Sequence, residues 1–172
     1  MKPNTVRPIA IAIIRRGERI FVAEGTDDVT EQTFYRPLGG LVEFGERGSD
    51  TVRREIREEI GAELDNVRYL GTMENIFTYN GDPGHEIVMV YEADFADQAM
   101  YDRPEVMANE NGTAPFPAVW KRMADFGPRT PLYPAGLLDK LTEWGAATEE
   151  RRVAHGSSRR DYGRPAFTEW AD

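Results

Sequence analysis

The chain has 172 residues, enough for one domain with a substantial core, and its 40% hydrophobic and 30% charged content is ordinary for a globular protein. Its 21 basic and 30 acidic side chains leave a net charge of -9, which argues against a general nucleic-acid or membrane-surface binder because phosphates would be repelled. There is no cysteine, which excludes disulfide frameworks, thiol nucleophiles and cysteine-ligated zinc or iron–sulfur centres.

"RPIAIAIIRRGERIFVAEG", from Arg7 to Gly25, reads as two strands around a tight turn at Arg16-Gly17. The nearly continuous Ile/Ala run of the first predicts burial on both faces. "TFYRPLGG" reads as a short strand running into a Pro/Gly turn. Gly48 to Gly61 reads as one helix, with Ser49 as N-cap, Asp50 in the first turn and Gly61 just past the end. "NVRYLGTMENIFTYNG" and "GHEIVMVYEADF" read as a hairpin around Gly81-Asp82-Pro83-Gly84. Residues 97 to 116 look irregular, and "AVWKRMADF" reads as a strand entering a turn. "PLYPAGLLDKLTEW" gives an amphipathic helix carrying Leu137, Leu138 and Leu141. The expected organisation is one domain over residues 1–144 and a polar tail or arm over 145–172. The element order points to an α/β protein with a mixed sheet and helices on its faces. The N-terminus has no basic start followed by an apolar stretch, and no run approaches the roughly 18 apolar residues of a membrane span. The expectation is a soluble, cytoplasmic protein.

The chemistry is concentrated in "GGLVEFGERGSDTVRREIREEIGAEL", from Gly39 to Leu64. On a helix at about 100° per residue, with Glu55 at zero, Glu58 falls near −60° and Glu59 near +40°. Val52, Ile56 and Ile60 form a neighbouring stripe at about 60°, 100° and 140°, and Arg54 lies near −100° on the other flank. Like charges at i,i+3 and i,i+4 repel by a few tenths of a kcal/mol each. A solvated acidic face is the ordinary explanation for such a helix. The glycine-rich turn before it, which also carries Glu46, favours a different one: a hard divalent cation that turns the repulsion into coordination.

Gly40, five residues, Glu46, seven residues, Arg54-Glu55-Ile56, one residue, Glu58-Glu59, one residue and Gly61 resemble the Nudix box, GX5EX7REUXEEXGU. The departure is Ala62, where a larger aliphatic is usual. The resemblance is most specific over residues 40–62, fits the strand order from about residue 6 to 144, and leaves the tail uncovered. It implies a Nudix-like α/β/α sandwich and a metal-dependent hydrolase that cleaves the diphosphate of a nucleoside diphosphate linked to another moiety. Carried over by position, Glu55, Glu58 and Glu59, with the Gly40 carbonyl, are the implied ligands of Mg²⁺ or Mn²⁺. Glu46 and Arg54 are implied to assist, and Glu59, Glu105 or Glu110 is the implied general base. Arg36, Gly39 and Gly40 are the candidate contacts to substrate phosphates.

Beside these, His85 and Glu86 open a strand near the expected site, and Phe34, Tyr35, Phe77 and Tyr79 could stack on a ring. Trp120 and Trp144 are expected to pack a helix on the sheet, and the Arg pairs at 151–152 and 159–160 to be solvated. The expected partner is a nucleoside-diphosphate-type small molecule, with nucleic acid disfavoured by the acidity and a homodimer compatible with the tail. A catalytically silent binding or sensor domain of the same fold is the competing reading, disfavoured because every carboxylate of the box is present.

Overall fold

The computed structural model describes residues 5–109 and 114–154, with side chains through residue 145. Eight strands form the centre of the molecule: β1 (Val6–Arg16), β2 (Arg19–Asp27), β3 (Gln32–Arg36), β4 (Gly39–Leu41), β5 (Leu64–Tyr79), β6 (Asp82–Phe95), β7 (Glu105–Ala108) and β8 (Phe116–Arg122). The main path through the sheet is β5-β6-β1-β2-β8-β7, with β3 added on β2 and β4 on β1. β1 runs parallel to β6 and antiparallel to β2 and β4, so the sheet is mixed. Helix α1 (Gly48–Ile60) and helix α2 (Leu137–Ala154) complete the α/β/α sandwich.

β1 separates the two halves of the core. Ile9 to Ile14 are all buried, as an uninterrupted apolar run requires of a central strand. Ala10, Ala12 and Ile14 face Val52 and Ile56 of α1, while Ile9, Ile11 and Ile13 face Leu137 and Leu141 of α2. The alternation along one strand thus seats a helix on each face. Trp144 packs α2 onto β5, its ring filling the space above Gly71. Trp120 instead joins Phe21, Phe95 and Tyr101 in an aromatic cluster on the α1 side.

Four local readings are corrected. The N-cap of α1 is Arg47, in extended conformation and without a side-chain cap bond, and Ser49 lies inside the helix. The β5–β6 turn is Asn80-Gly81, both at positive φ, as a two-residue type I′ turn demands. Asp82, Pro83 and Gly84 belong to β6, and the missing N–H of Pro83 lies beyond the end of β1, whose pairing with β6 starts at His85. The irregular segment contains a 3-10 turn at Gln98–Asp102 and strand β7. Helix α2 continues past Gly145 to Ala154. Glu110, Arg159 and Arg160 lie outside the described residues, as do the side chains of Arg151 and Arg152. Among the described residues, no helix is long and apolar enough to cross a membrane.

Candidate active site

The glycine turn and α1 meet over the first half of β1. Gly39 pairs with Ile11 and Gly40 with Ala10, so the turn is tied to the central strand. A Cβ on Gly39 would lie 2.2 Å from the Ala10 carbonyl oxygen, and its φ of 139° also requires glycine. A Cβ on Gly40 would lie 2.4 Å from the Glu55 carboxyl group. The missing side chain at Gly40 is the seat of that carboxylate.

Arg54 organises the carboxylates. Its Nε and Nη2 donate to the two oxygens of Glu46, both at 2.9 Å, a bidentate fork. Its Nη1 donates to Glu55 at 2.8 Å and to Glu58 at 3.2 Å, and Nη2 also reaches the Leu41 carbonyl at 3.0 Å. Glu46 accepts further bonds from the Thr51 hydroxyl at 2.8 Å and the Glu43 amide at 3.2 Å. Hydrogen bonding from Arg54 above all holds the Glu46 carboxyl down at about 2, and the same contacts raise the pKa of Arg54. Glu46 is therefore a fixed anion that anchors Arg54.

Glu59 is 5% exposed, and one of its oxygens accepts from the Gly39 amide at 3.3 Å. Its backbone carbonyl accepts from the Asn109 amide at 2.8 Å, so the end of β7 is tied to the acidic helix. Glu105, at the start of β7, is exposed. Glu58 is the most open of the three, with 48% of its side chain exposed. Arg36 is exposed beside the turn, its guanidinium 3.4 Å from the Gly39 carbonyl oxygen.

Glu55, Glu58, Glu59 and a backbone carbonyl are hard oxygen donors, the chemistry that suits Mg²⁺ or Mn²⁺. In this arrangement they gather around Arg54 and the Gly39 amide, and among the described residues no three acidic or histidine side chains converge closely enough to hold a metal. Filling the site would require Glu55 and Glu58 to exchange the Arg54 Nη1 contacts for the cation, with the fork to Glu46 kept.

Other sequence candidates lie elsewhere. Tyr35 is a core residue, its hydroxyl bonded to Glu24 at 2.7 Å and its pKa pushed up to about 12 by burial. His85 Nε2 sits 2.9 Å from Glu74. Glu86 is 9% exposed and pairs with Arg7 and with Asn75, a contact that sequence reading missed. The available signal was a polar residue two positions from an apolar one on the same face of each of three strands: Arg7 beside Ile9, Asn75 beside Met73 and Glu86 beside Val88. The Arg7 Nε is buried without a partner, a defect of about 1–3 kcal/mol.

An α/β/α sandwich whose glycine turn seats the carboxylates of a following acidic helix sets the fold class and the place of the site. The NUDIX domain model matches residues 5–131, and the chain belongs to the Nudix family. It is 28% identical over 118 residues to a Pseudomonas putida protein named NAD-capped RNA hydrolase NudC, covering 66% of this chain and 40% of that one. A Pectobacterium atrosepticum protein of the same name is 34% identical over 91 residues, 53% of this chain and 32% of its own length. The chain thus spans well under half of these relatives. The MutT NUDIX hydrolase structure from Burkholderia pseudomallei superposes with a TM-score of 0.57 at 23% identity, over 80% of this chain and 99% of that one. The structure of an ADP compounds hydrolase superposes with a TM-score of 0.54 at 15% identity, over 86% and 77%. These likenesses show the fold, and family membership together with the hydrolase names of the relatives supports an enzyme of the Nudix pyrophosphohydrolase class.

Proposed function

We infer that this protein hydrolyses the diphosphate bond of a nucleoside diphosphate linked to another moiety, with Mg²⁺ or Mn²⁺ held by Glu55, Glu58, Glu59 and the Gly40 carbonyl. The observation that carries the reading is the convergence of two carboxylates on one glycine turn: Glu55 lies against Gly40, and Glu59 accepts from the Gly39 amide. Bound there, the cation supplies charge neutralisation for the diphosphate and a bound water of lowered pKa. The protein's own groups do the rest. Arg54, anchored by Glu46, keeps Glu55 and Glu58 together until the cation takes them, the glycine turn admits phosphate oxygens close to backbone, and Arg36 offers a cation at the rim. Glu59, the most enclosed of the three helix glutamates, is the candidate base.

The net charge of -9 favours a small substrate over a long polyanion. The relatives' name brings NAD-type dinucleotides, free or at an RNA end, into the panel to be tested. A hydrolysis screen over ADP-sugars, nucleoside triphosphates, dinucleoside polyphosphates and NAD-type substrates, with and without Mg²⁺ or Mn²⁺, tests the inference. Metal-dependent turnover is expected, and Glu58→Gln and Glu59→Gln each lower kcat roughly 10²-fold or more. Full turnover by both variants refutes the assignment. Normal Mn²⁺ binding with no turnover on any substrate identifies a silent sensor domain instead.

A further inference from the structure

β5 stands at one end of the sheet, and among the described residues no strand lies along its outer edge. The two halves of that edge differ. Between Leu64 and Gly71 the strand shifts register against β6 twice, at Asp65/Arg68 and at Tyr69/Gly71, and it carries the charges of Asp65 and Arg68. Bulges and charges are the means by which a free edge avoids pairing. Between Thr72 and Tyr79 the register against β6 is unbroken, there is no proline, and Glu74 is the one charged side chain. An edge that is straight and nearly neutral is a template for another strand.

An uncovered apolar row runs up to the same edge. Val6 of β1, His85 of β6 and Ile76 of β5 stand directly opposite one another. Val6 is an even number of residues from Ala10, so the row lies on the α1 side of the sheet. The helix leaves it open: Val6 is 53% exposed and Ile76 72%.

A second copy of this chain fits that edge by symmetry. A two-fold axis perpendicular to the sheet sets β5 antiparallel to its copy and keeps every side chain on its own face, so the strand must pair about one residue. Pairing about Glu74 sets two carboxylates together, and pairing about Asn75 sets each carboxylate on an isoleucine. Pairing about Ile76 does neither. Ile76 then meets its copy, Asn75 meets Phe77, and Met73 meets Tyr79. Glu74, whose carboxylate sits 2.9 Å from His85 Nε2, meets the Thr78 hydroxyl as a further donor. The row becomes continuous across both copies, with the two isoleucines at its centre.

We propose that this protein self-associates through the Met73–Tyr79 edge of β5, antiparallel and centred on Ile76, so that one sheet runs through two copies. The paired edge and the apolar row bury roughly 500 Å² per copy, less than the ~800 Å² of a standard interface. The dimer therefore dissociates in the micromolar range, with a Kd of about 1–100 µM.

The absence of cysteine from the chain makes the register directly measurable. Opposed residues of an antiparallel pair have Cα atoms about 4.5–5.5 Å apart, within disulfide reach. In the full chain, Ile76→Cys is expected to form a covalent dimer under mild oxidation at least 10-fold faster than Glu74→Cys or Thr78→Cys alone. Those two variants, mixed, are expected to cross-link with each other at least 10-fold faster than either does with itself. Sedimentation of the wild type from about 1 to about 500 µM is expected to show a reversible monomer–dimer equilibrium. Ile76→Lys is expected to weaken it at least 10-fold while thermal unfolding stays cooperative. A wild type that is monomeric throughout overturns the proposal, whether its edge is bare or covered by another segment of the same chain. A dimer that Ile76→Lys leaves intact overturns it too, as does equal cross-linking by all three cysteine variants. Should Ile76→Lys fail to fold, the cysteine variants decide by the same criteria.

Discussion

Gly39 and Gly40 are adjacent glycines held for different reasons, and their alanine variants separate fold from site. A methyl at Gly39 meets the Ala10 backbone oxygen, which cannot yield without breaking the β1–β4 pairing. Gly39→Ala is expected to cost about 3 kcal/mol or more in urea unfolding. A methyl at Gly40 meets only the end of the Glu55 side chain, which can swing away. Gly40→Ala is expected to change stability by less than about 1 kcal/mol and to lower kcat at least 10-fold. Glu46 gives a pH signature. Its carboxyl is held at about 2 in the folded state against an ordinary 4.5. Its stabilising contribution is fully present above pH 4.5 and drains away as pH falls from there towards 2. Arg54→Met removes that contribution and is expected to cost about 2–3 kcal/mol at pH 7. The loss shrinks below pH 4, as thermal melts at several pH values will show.

At the scale of the element, α1 works because two periodic patterns share one helix. Val52 and Ile56 are fully buried against β1, and the glutamates stand beside them. Ile56→Ala is expected to cost about 2–4 kcal/mol and to reduce activity only as far as it loosens the helix. Gly61 ends α1 at φ 67°, where its amide donates to the Arg57 carbonyl, and Gly61→Ala should cost about 1 kcal/mol. The misread start of this helix is instructive. Ser49 has the chemistry of a cap, yet Gly48 is drawn into the helix against Tyr91, where a Cβ would lie 2.6 Å from the hydroxyl. The turn before it is closed by Glu46, which takes the Thr51 hydroxyl and the Glu43 amide. Tertiary packing overrode a local preference worth about 1 kcal/mol.

For the whole molecule, the central strand divides the work: one face carries the acidic helix, the other the α2 core and the Arg7–Glu86–Asn75 row. A cation that binds only the folded state stabilises it, by about 2.7 kcal/mol at a hundredfold excess over Kd. Mn²⁺ should therefore raise the Tm of the wild type and leave a variant with Glu55, Glu58 and Glu59 all changed to Gln unmoved. An equal rise in both proteins would place the bound metal elsewhere.

The acidic helix, its glycine turn and the alternating strands were legible in the sequence because they depend on spacing within a single element. Helical periodicity puts Glu55, Glu58 and Glu59 on one side whatever surrounds them. Only the tertiary structure decided that Arg54 holds Glu55 and Glu58 while Glu59 sits on the Gly39 amide, that Gly40 is bare to make room for Glu55, and that Arg7 meets Glu86 across 79 positions. Those contacts arise from strand order and register, which are set by burial summed over the whole core rather than by any short stretch of chain.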